Sequence, residues 1–481
     1  MEHQSISALA IPEHMQIAFA TAVFLITYAI IVSEKIHRSV IAFVGAAVMI
    51  LAGILNPELA VHYVDWNTIG LLVGMMIIVG ITRETGLFEF LAIKAAKTAK
   101  GRPLAIMVSL AAITAICSAL LDNVTTVLLM VPVTFAIARK LELSPIPFLI
   151  VEILSSNIGG TATLIGDPPN IMIGSATHLG FLDFVINLTP VVIFIHVVTI
   201  FICQIIYKRK MIVTPEIQQR IYDLDETEEL KDIPLMKKCL FVLGITILGF
   251  FFHQFLHLES SVIALTGASL LLLITNSDPE HPLHNVEWPV IFFFIGLFVI
   301  VGALEEVGVI EALAHYALEI TGGVVFPTGI LILWVSSVAS AFVDNIPFVA
   351  TMIPLIHSMA ANNADINAMQ NFLWWSLSLG ACLGGNGTII GASANVVVIG
   401  MAEKRGARIS FMDFFKIGFP LMIMSIIIST GYLWLWYYLH TTVALISTLT
   451  VAIIVGVILN VFNKRLAAQS VQSSSGHSKG V

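Results

Sequence analysis

Apolar runs close to the length that crosses a bilayer recur along the chain, among them Ile17 to Val32, Val185 to Tyr207, Lys416 to Tyr438 and Thr442 to Phe462. About 20 such residues make one helical crossing of the hydrocarbon. Every backbone N–H and C=O there must be paired within the protein, which leaves helices and closed barrels as the available folds. A membrane barrel is written in short alternating segments, and the sequence has none. It therefore specifies an all-α polytopic membrane protein. Composition agrees: of 481 residues 58% are hydrophobic and 11% charged, with mean hydropathy +0.95. The first run lacks a basic leader and a small-residue cleavage site, so it is expected to remain as a span.

Basic residues flanking short loops mark the cytoplasmic side. Lys35 and Arg38 separate the first two spans, Arg83 to Arg102 follow the third, and Arg139 and Lys140 close the next pair. Lys208, Arg209 and Lys210 open a mixed-charge connector. Between Cys239 and Glu403 there is no Lys or Arg. With later spans near 236–256, 260–275, 288–304, 372–402, 416–438 and 442–462, all 23 basic residues fall on one face. This places the N-terminus outside and the C-terminus in the cytoplasm, in the cell (inner or plasma) membrane.

The chain contains an internal repeat. Trp66, Gly74, Gly80, Glu84, Gly86 and Glu89 recur 222 residues on as Trp288, Gly296, Gly302, Glu306, Gly308 and Glu311 (66 to 288, 89 to 311). Asp122-Asn123 recurs as Asp344-Asn345. Gly159, Gly160, Thr163, Gly166 and Asn170 recur as Gly384, Gly385, Thr388, Gly391 and Asn395. By the charge map the halves enter the membrane from opposite sides. Inverted repeats with interrupted helices at matching positions are the architecture of secondary transporters. The expected organisation is a first membrane repeat over 1–207, a cytoplasmic linker over 208–235 and a second, inverted repeat over 236–440. An extra C-terminal span over 441–462 and a disordered cytoplasmic tail over 463–481 follow. Each repeat should hold a discontinuous helix and a hairpin, at 103–139 and 325–360, whose arms fit two full spans as well as a re-entrant pair; the near absence of a polar loop at the Asp-Asn turn favours re-entrance.

Each half breaks its helices twice. One break is "NIGGTATLIGDPPN", Asn157 to Asn170, with its mate "LGGNGTIIGASAN", Leu383 to Asn395. The other is the Asp-Asn turn in "LLDNVTT" and "FVDNIPF". Freed carbonyls can ligate a cation, and half-helix N-termini present positive dipole ends to anions. An ionised Asp at mid-membrane costs roughly 2.5–3.5 kcal/mol even on the lenient insertion scale, so carboxylates there call for protons, cations or partners. The candidate substrate and ion site comprises Asp122, Asn123, Thr125, Asn157, Gly159, Gly160, Thr161, Thr163, Asp167 and Asn170 from the first half. From the second come Asp344, Asn345, Gly384, Gly385, Asn386, Thr388 and Asn395. Asp122, Asp344, Glu152 and Asp167 are the proton-coupling candidates. Glu152 matches Leu377 and Asp167 matches Ala392, so those two carboxyls belong to the first half alone. Glu84 and Glu306 are expected to cap interfacial helices, and no role falls to the histidines. The four cysteines have no metal or disulfide spacing. No resident metal or cofactor is expected, although a Na+ site at Asp122, Asn123 and Gly160 is allowed.

"LDNVTTVLLMVPVT", "NIGGTATLIGDPPN", "DNIPFVATMIP" and "GACLGGNGTIIGASANVV" resemble the signature blocks of the ion-transporter superfamily, in its arsenite-permease and melanocyte P-protein branch. NhaD-type sodium/proton antiporters are further relatives, and sodium-coupled citrate and dicarboxylate transporters more distant ones. The resemblance implies re-entrant hairpins, a homodimer and elevator-like alternating access. In the dicarboxylate relatives a Ser-Asn-Thr motif at each hairpin tip contacts substrate and sodium. Here Asp122-Asn123-Val124 and Asp344-Asn345-Ile346 stand in those places, with an acidic residue for the serine.

No Walker A loop, activated nucleophile or metal-hydrolase spacing appears, so an enzyme is not expected. The expected partners are the bilayer, a small inorganic ion or solute and a second copy of the chain, with no nucleic acid. An arsenite pump could add a soluble ATPase. The leading expectation is export of a metalloid hydroxide such as arsenite or antimonite, driven by H+ or another ion. It rests on an apolar core without Lys or Arg, which disfavours polycarboxylates, and on Asp and Asn as partners for hydroxyls. A Na+/H+ antiporter and an anion (chloride, citrate or dicarboxylate) transporter are the alternatives.

Overall fold

The structure is a computed structural model that describes residues 11–439 apart from 34, 178 and 277, and beyond them 442, 445–453 and 456. The expected tail over 463–481 and most of the extra span over 441–462 lie outside the described residues. The described part is helical, with no strand among its elements. The first half runs α1 (Glu13–Ser33), α2 (Arg38–Leu51), α3 (Pro57–His62), α4 (Trp66–Glu84), α5 (Leu87–Thr98), α6 (Pro103–Leu120), α7 (Asn123–Lys140), α8 (Ile146–Gly160), α9 (Pro168–Ala176) and α10 (Phe181–Tyr207). A short α11 (Pro215–Gln219) lies in the linker. The second half runs α12 (Ile233–Leu256), α13 (Ser260–Thr275), α14 (Glu280–His284), α15 (Trp288–Glu306), α16 (Val309–Thr321), α17 (Val325–Phe342), α18 (Asn345–Asn362), α19 (Ala364–Ala368), α20 (Gln370–Gly384), α21 (Ser393–Lys404) and α22 (Phe411–Leu439). Among the described residues nine helices are long and apolar enough to cross a membrane.

Helix boundaries follow the sequence repeat. α4 and α15 both have 19 residues. α6, α7, α17 and α18 have 18 each, and α8 and α20 have 15 each. Proline opens α3, α6, α9 and α12, where its missing N–H costs no helical bond. The halves interlock: α2 packs on α15, and α13 on α4. Small residues let these backbones approach closely. A Cβ at Gly74 would lie 2.6 Å from the Ala264 backbone, and one at Gly296 would lie 2.6 Å from the Ala42 backbone.

One expectation, on Glu84 and Glu306, is corrected here, and the linker shows packing that the sequence did not signal. The 208–235 connector is docked on the helices. Ile221 is fully buried, Lys97 pairs with Glu226 and Arg220 with Glu142, and Lys231 N–H donates to Thr85 O at 3.1 Å. Its apolar Ile221 anchors it, a signal hidden by the surrounding charges. Glu84 and Glu306 do not cap helix starts but end α4 and α15. They accept hydrogen bonds from Asn285 (3.1 Å) and Tyr63 (3.1 Å), side chains of the opposite half.

Candidate functional site

The Asp-Asn turns are two-residue breaks between long arms. α6 ends at Leu120, Leu121 and Asp122 are extended, and Asp122 caps α7 by accepting from Thr125 N–H at 2.8 Å. The Thr125 hydroxyl donates to the other carboxylate oxygen. α17 ends at Phe342, and Asp344 caps α18 by accepting from Ile346 N–H at 3.1 Å. Both tips reach the breaks between α8 and α9 and between α20 and α21. Asn123 Nδ2 lies 3.3 Å from Asn157 Oδ1 at the end of α8. Asn345 Nδ2 lies 3.3 and 3.4 Å from the two oxygens of Asp167, the residue before α9.

Between the tips is a pocket lined by Asp122, Asn123, Asp167, Asn345, Arg38 and Glu287, together with Ser393 and apolar residues of α4 and α15. Its free volume is ≈ 20 Å³, room for about one water molecule. Arg38 corrects the expectation of a core without cations. From the first residue of α2, its Nη1 donates to Asp344 Oδ2 at 2.8 Å and to Ser393 Oγ at 2.6 Å. Its guanidinium lies 5.0 Å from the centre of the Phe293 ring. In the sequence Arg38 reads as a loop-flanking cytoplasmic charge, and only the packing of α2 on α15 turns it inward. Glu287, just before the α15 span, was also missed. Burial, and then the charge of Asp122, push its carboxyl up to about 6 against the opposing pull of Arg38 and Arg83.

Behind the pocket the asparagines of the two helix breaks bond to one another or to break carbonyls. Asn157 Nδ2 donates to Asn386 Oδ1 (3.0 Å) and Asn395 Oδ1 (2.9 Å), joining the halves. Asn170 Nδ2 donates to the carbonyls of Thr161 (3.1 Å) and Thr163 (2.9 Å). Asn395 Nδ2 does the same for Gly385 (2.7 Å) and Thr388 (2.9 Å). Carbonyls freed by the breaks thus accept hydrogen bonds from side-chain amides. A buried carbonyl needs a donor, and a fixed amide supplies one without an ion. The Thr161 hydroxyl donates to Asn157 O at 2.8 Å, Thr163 to Ala119 O and Thr388 to Ala341 O.

The glycines serve packing. A Cβ at Gly159 would stand 2.2 Å from Ala115 O, one at Gly384 2.6 Å from Ser337 O, and one at Gly160 2.5 Å from Gly166 O. A Cβ at Gly385 would stand 3.0 Å from Ala392 Cβ. Asp122 and Asn123 line the pocket and Gly160 is not among its lining residues. Glu152 is also elsewhere. It lies on α8, about 12 Å along the helix from Gly160 at 1.5 Å per residue, accepts from the Thr134 hydroxyl and keeps its second oxygen unpartnered. Among the described residues no cluster of His, Cys, Asp or Glu is set to hold a metal ion.

Apolar helices broken in matching places, meeting at a charged pocket, define the class: a polytopic membrane transporter. The chain belongs to the citrate transporter family (CitMHS), whose pattern matches residues 28–380. It is 43% identical over 423 residues to an uncharacterized transporter of Mycobacterium tuberculosis, spanning 87% of this chain and 98% of that protein. The P protein of Homo sapiens is 34% identical over 500 residues, spanning 87% of this chain and 60% of the P protein. The resemblance stated from the signature blocks is borne out at this level. Among solved structures, the YdaH transporter of Alcanivorax borkumensis aligns over 89% of this chain and 98% of its own at TM-score 0.48 and 13% identity.

Proposed function

We propose that this membrane transporter is a secondary active carrier that moves a small inorganic solute through the pocket between its hairpin tips, in exchange for a proton bound at Asp167. The carrying observation is Asp167 itself. It is fully buried at a helix break, faces the pocket and accepts from the Asn345 amide. A carboxyl so placed is stable when it holds a proton or a cation. A metalloid hydroxide such as arsenite suits the hydroxyl, amide and carboxyl lining. A polycarboxylate suits it poorly. Arg38 is already paired with Asp344, and Asp122, Asp167 and Glu287 would repel it.

A homodimer in the cell membrane, moving its pocket by an elevator-type alternation with the C-terminus cytoplasmic, belongs to the same reading. So do the domain boundaries drawn from the repeat. The one-water volume also favours a second reading, in which the exchanged species is Na+. The test is the purified protein in vesicles with an internal pH dye, given arsenite and NaCl separately. Proton flux triggered by arsenite and lost in Asp167→Asn supports metalloid/proton exchange. Flux triggered by NaCl alone replaces it with Na+/H+ antiport. Flux unchanged in Asp167→Asn removes Asp167 from the mechanism.

A further inference from the structure

α9 and α18 run on from the pocket into a second, larger cavity of ≈ 550 Å³, a size that small-molecule sites commonly have. One helical turn separates the two. On α9 Pro168 lines the pocket and Met172 the cavity, and on α18 Ile346 lines the pocket and Ala350 the cavity. Four residues rise about 6 Å along a helix. The far wall of the cavity is the last turn of α15, at Glu305, with Tyr63 and Asp65 from the turn between α3 and α4. That turn belongs to the 56–67 segment, which has no Lys or Arg, and the charge map puts it outside.

The charge of this wall has one sign. Asp65 and Glu305 line the cavity, and no Lys or Arg does among the described residues. Glu306 stands beside it and accepts from the Tyr63 hydroxyl at 3.1 Å. The Asp65 oxygens are taken up by the N–H groups of Asn67 and Thr68 and by the hydroxyls of Thr68 and Ser175. The Glu305 carboxylate is exposed and forms no ion pair among the described residues. At the matching position of the first half stands Arg83, a residue of opposite charge.

We propose that this cavity is the outer vestibule of the carrier and that Glu305 makes it selective by charge, gathering cations, passing uncharged hydroxides and repelling anions. The inference rests on the tip pocket being the solute site, and it narrows the solute to an uncharged or cationic species. A cleft of one sign between low-dielectric walls focuses its field, concentrating counter-ions about tenfold or more and depleting co-ions. Phe298, Val301 and Ile353 supply the apolar part of the wall. Asp65 adds to the field with its oxygens already bound, whereas the free Glu305 carboxylate can meet a cation directly. A polycarboxylate would be turned away here before it reached the tips.

Cysteine labelling tests both claims, with two small methanethiosulfonates of opposite charge: the trimethylammonium-ethyl cation and the sulfonato-ethyl anion. Ala176→Cys, at the end of α9, and Ile353→Cys, on α18, each place a thiol on the cavity wall. Intact cells expressing the full chain are labelled from outside at pH 8. Each rate is divided by that reagent's rate with 2-mercaptoethanol, and wild type gives the background of the four native cysteines. At both positions the cation should react at least about tenfold faster than the anion on this scale. Glu305→Gln should lower that ratio about threefold or more, Glu305→Asp should keep it, and salt near 1 M should compress it. A ratio near one, or one that neither Glu305→Gln nor salt changes, overturns the charge selection. No labelling from outside at either position overturns the vestibule. So does full flux in the vesicle assay after complete labelling of Ala176→Cys, since the cavity would then lie off the route. Should one cysteine variant fail to accumulate, the other decides, and salt stands in for Glu305→Gln if that variant fails. Absence of any proton flux in wild-type vesicles with arsenite or NaCl overturns the transport reading instead, and the labelling ratio still decides the charge selection.

Discussion

The two hairpin tips carry the same Asp-Asn pair on arms of equal length, and the molecule uses them differently. Asp122 spends its carboxylate on capping α7. Asp344 caps α18 and also holds Arg38 and Ser393 from two other helices. Their asparagines diverge as well, since Asn123 meets Asn157 and Asn345 meets Asp167. Paired helices thus carry unpaired chemistry. The two tips converge on one pocket, and Arg38, Asp167 and Glu287, whose matching positions hold other residues, give it its remaining charges.

The largest effect that could break this comparison is on transport itself. Asp122→Asn and Asp344→Asn should each reduce proton-coupled flux to background while the protein still inserts. Wild-type flux in both would make the pairs structural turns. The same two variants sharpen the comparison through stability. Asn caps a helix about as well as Asp, so Asp122→Asn should change unfolding free energy by less than about 0.5 kcal/mol. Asp344→Asn strands the Arg38 guanidinium. Breaking a fully buried pair costs about 3–5 kcal/mol, and partial exposure of both partners brings this to about 1–2 kcal/mol. Detergent-solubilised thermal unfolding at pH 8 measures the difference, and equal stability of the two variants would deny that Asp344 alone depends on a paired cation.

Much of this was legible in the sequence, because the signals concerned were local or periodic. Apolar run length gave the spans, and Gly, Pro and Asp-Asn placed both breaks within a residue or two. The near-constant offset paired the helices before any coordinates. What was not legible depended on long-range packing. Arg38 is a basic residue at a span end, as topology-setting residues are, and nothing local says that α2 leans on α15 and brings it to a tip 306 residues away. The bonds of Asn170 and Asn395 were not legible for a related reason. The breaks announce freed carbonyls, but which donor reaches them is a matter of three-dimensional distance. Ile221 was hidden among charges in a segment whose composition reads as solvated.

The smallest expected effect concerns a second mated pair, Asp65 before α4 and Glu287 before α15. Asp65 works as a cap, accepting from Asn67 and Thr68 N–H at 3.0 Å each and from the Thr68 and Ser175 hydroxyls. Glu287 makes no side-chain cap bond and faces the pocket instead. Asp65→Ala should therefore cost about 1 kcal/mol of stability at neutral pH and leave the pH profile of transport unchanged. Glu287→Gln should do the reverse. With its carboxyl raised to about 6, chiefly by burial, the folded protein holds a proton between the ordinary carboxylate range and pH 6 that the unfolded chain has released. Stability contributed by this group is therefore present at low pH and falls as pH rises through 6. Glu287→Gln should flatten that slope in unfolding measured from pH 4.5 to 7.5. It should also remove a transport inflection near pH 6, because the pocket then keeps one charge fewer throughout. A slope unchanged in Glu287→Gln but lost in Asp65→Ala would exchange the roles of the two residues and place the pH-sensitive face of the protein at the other end of the bundle.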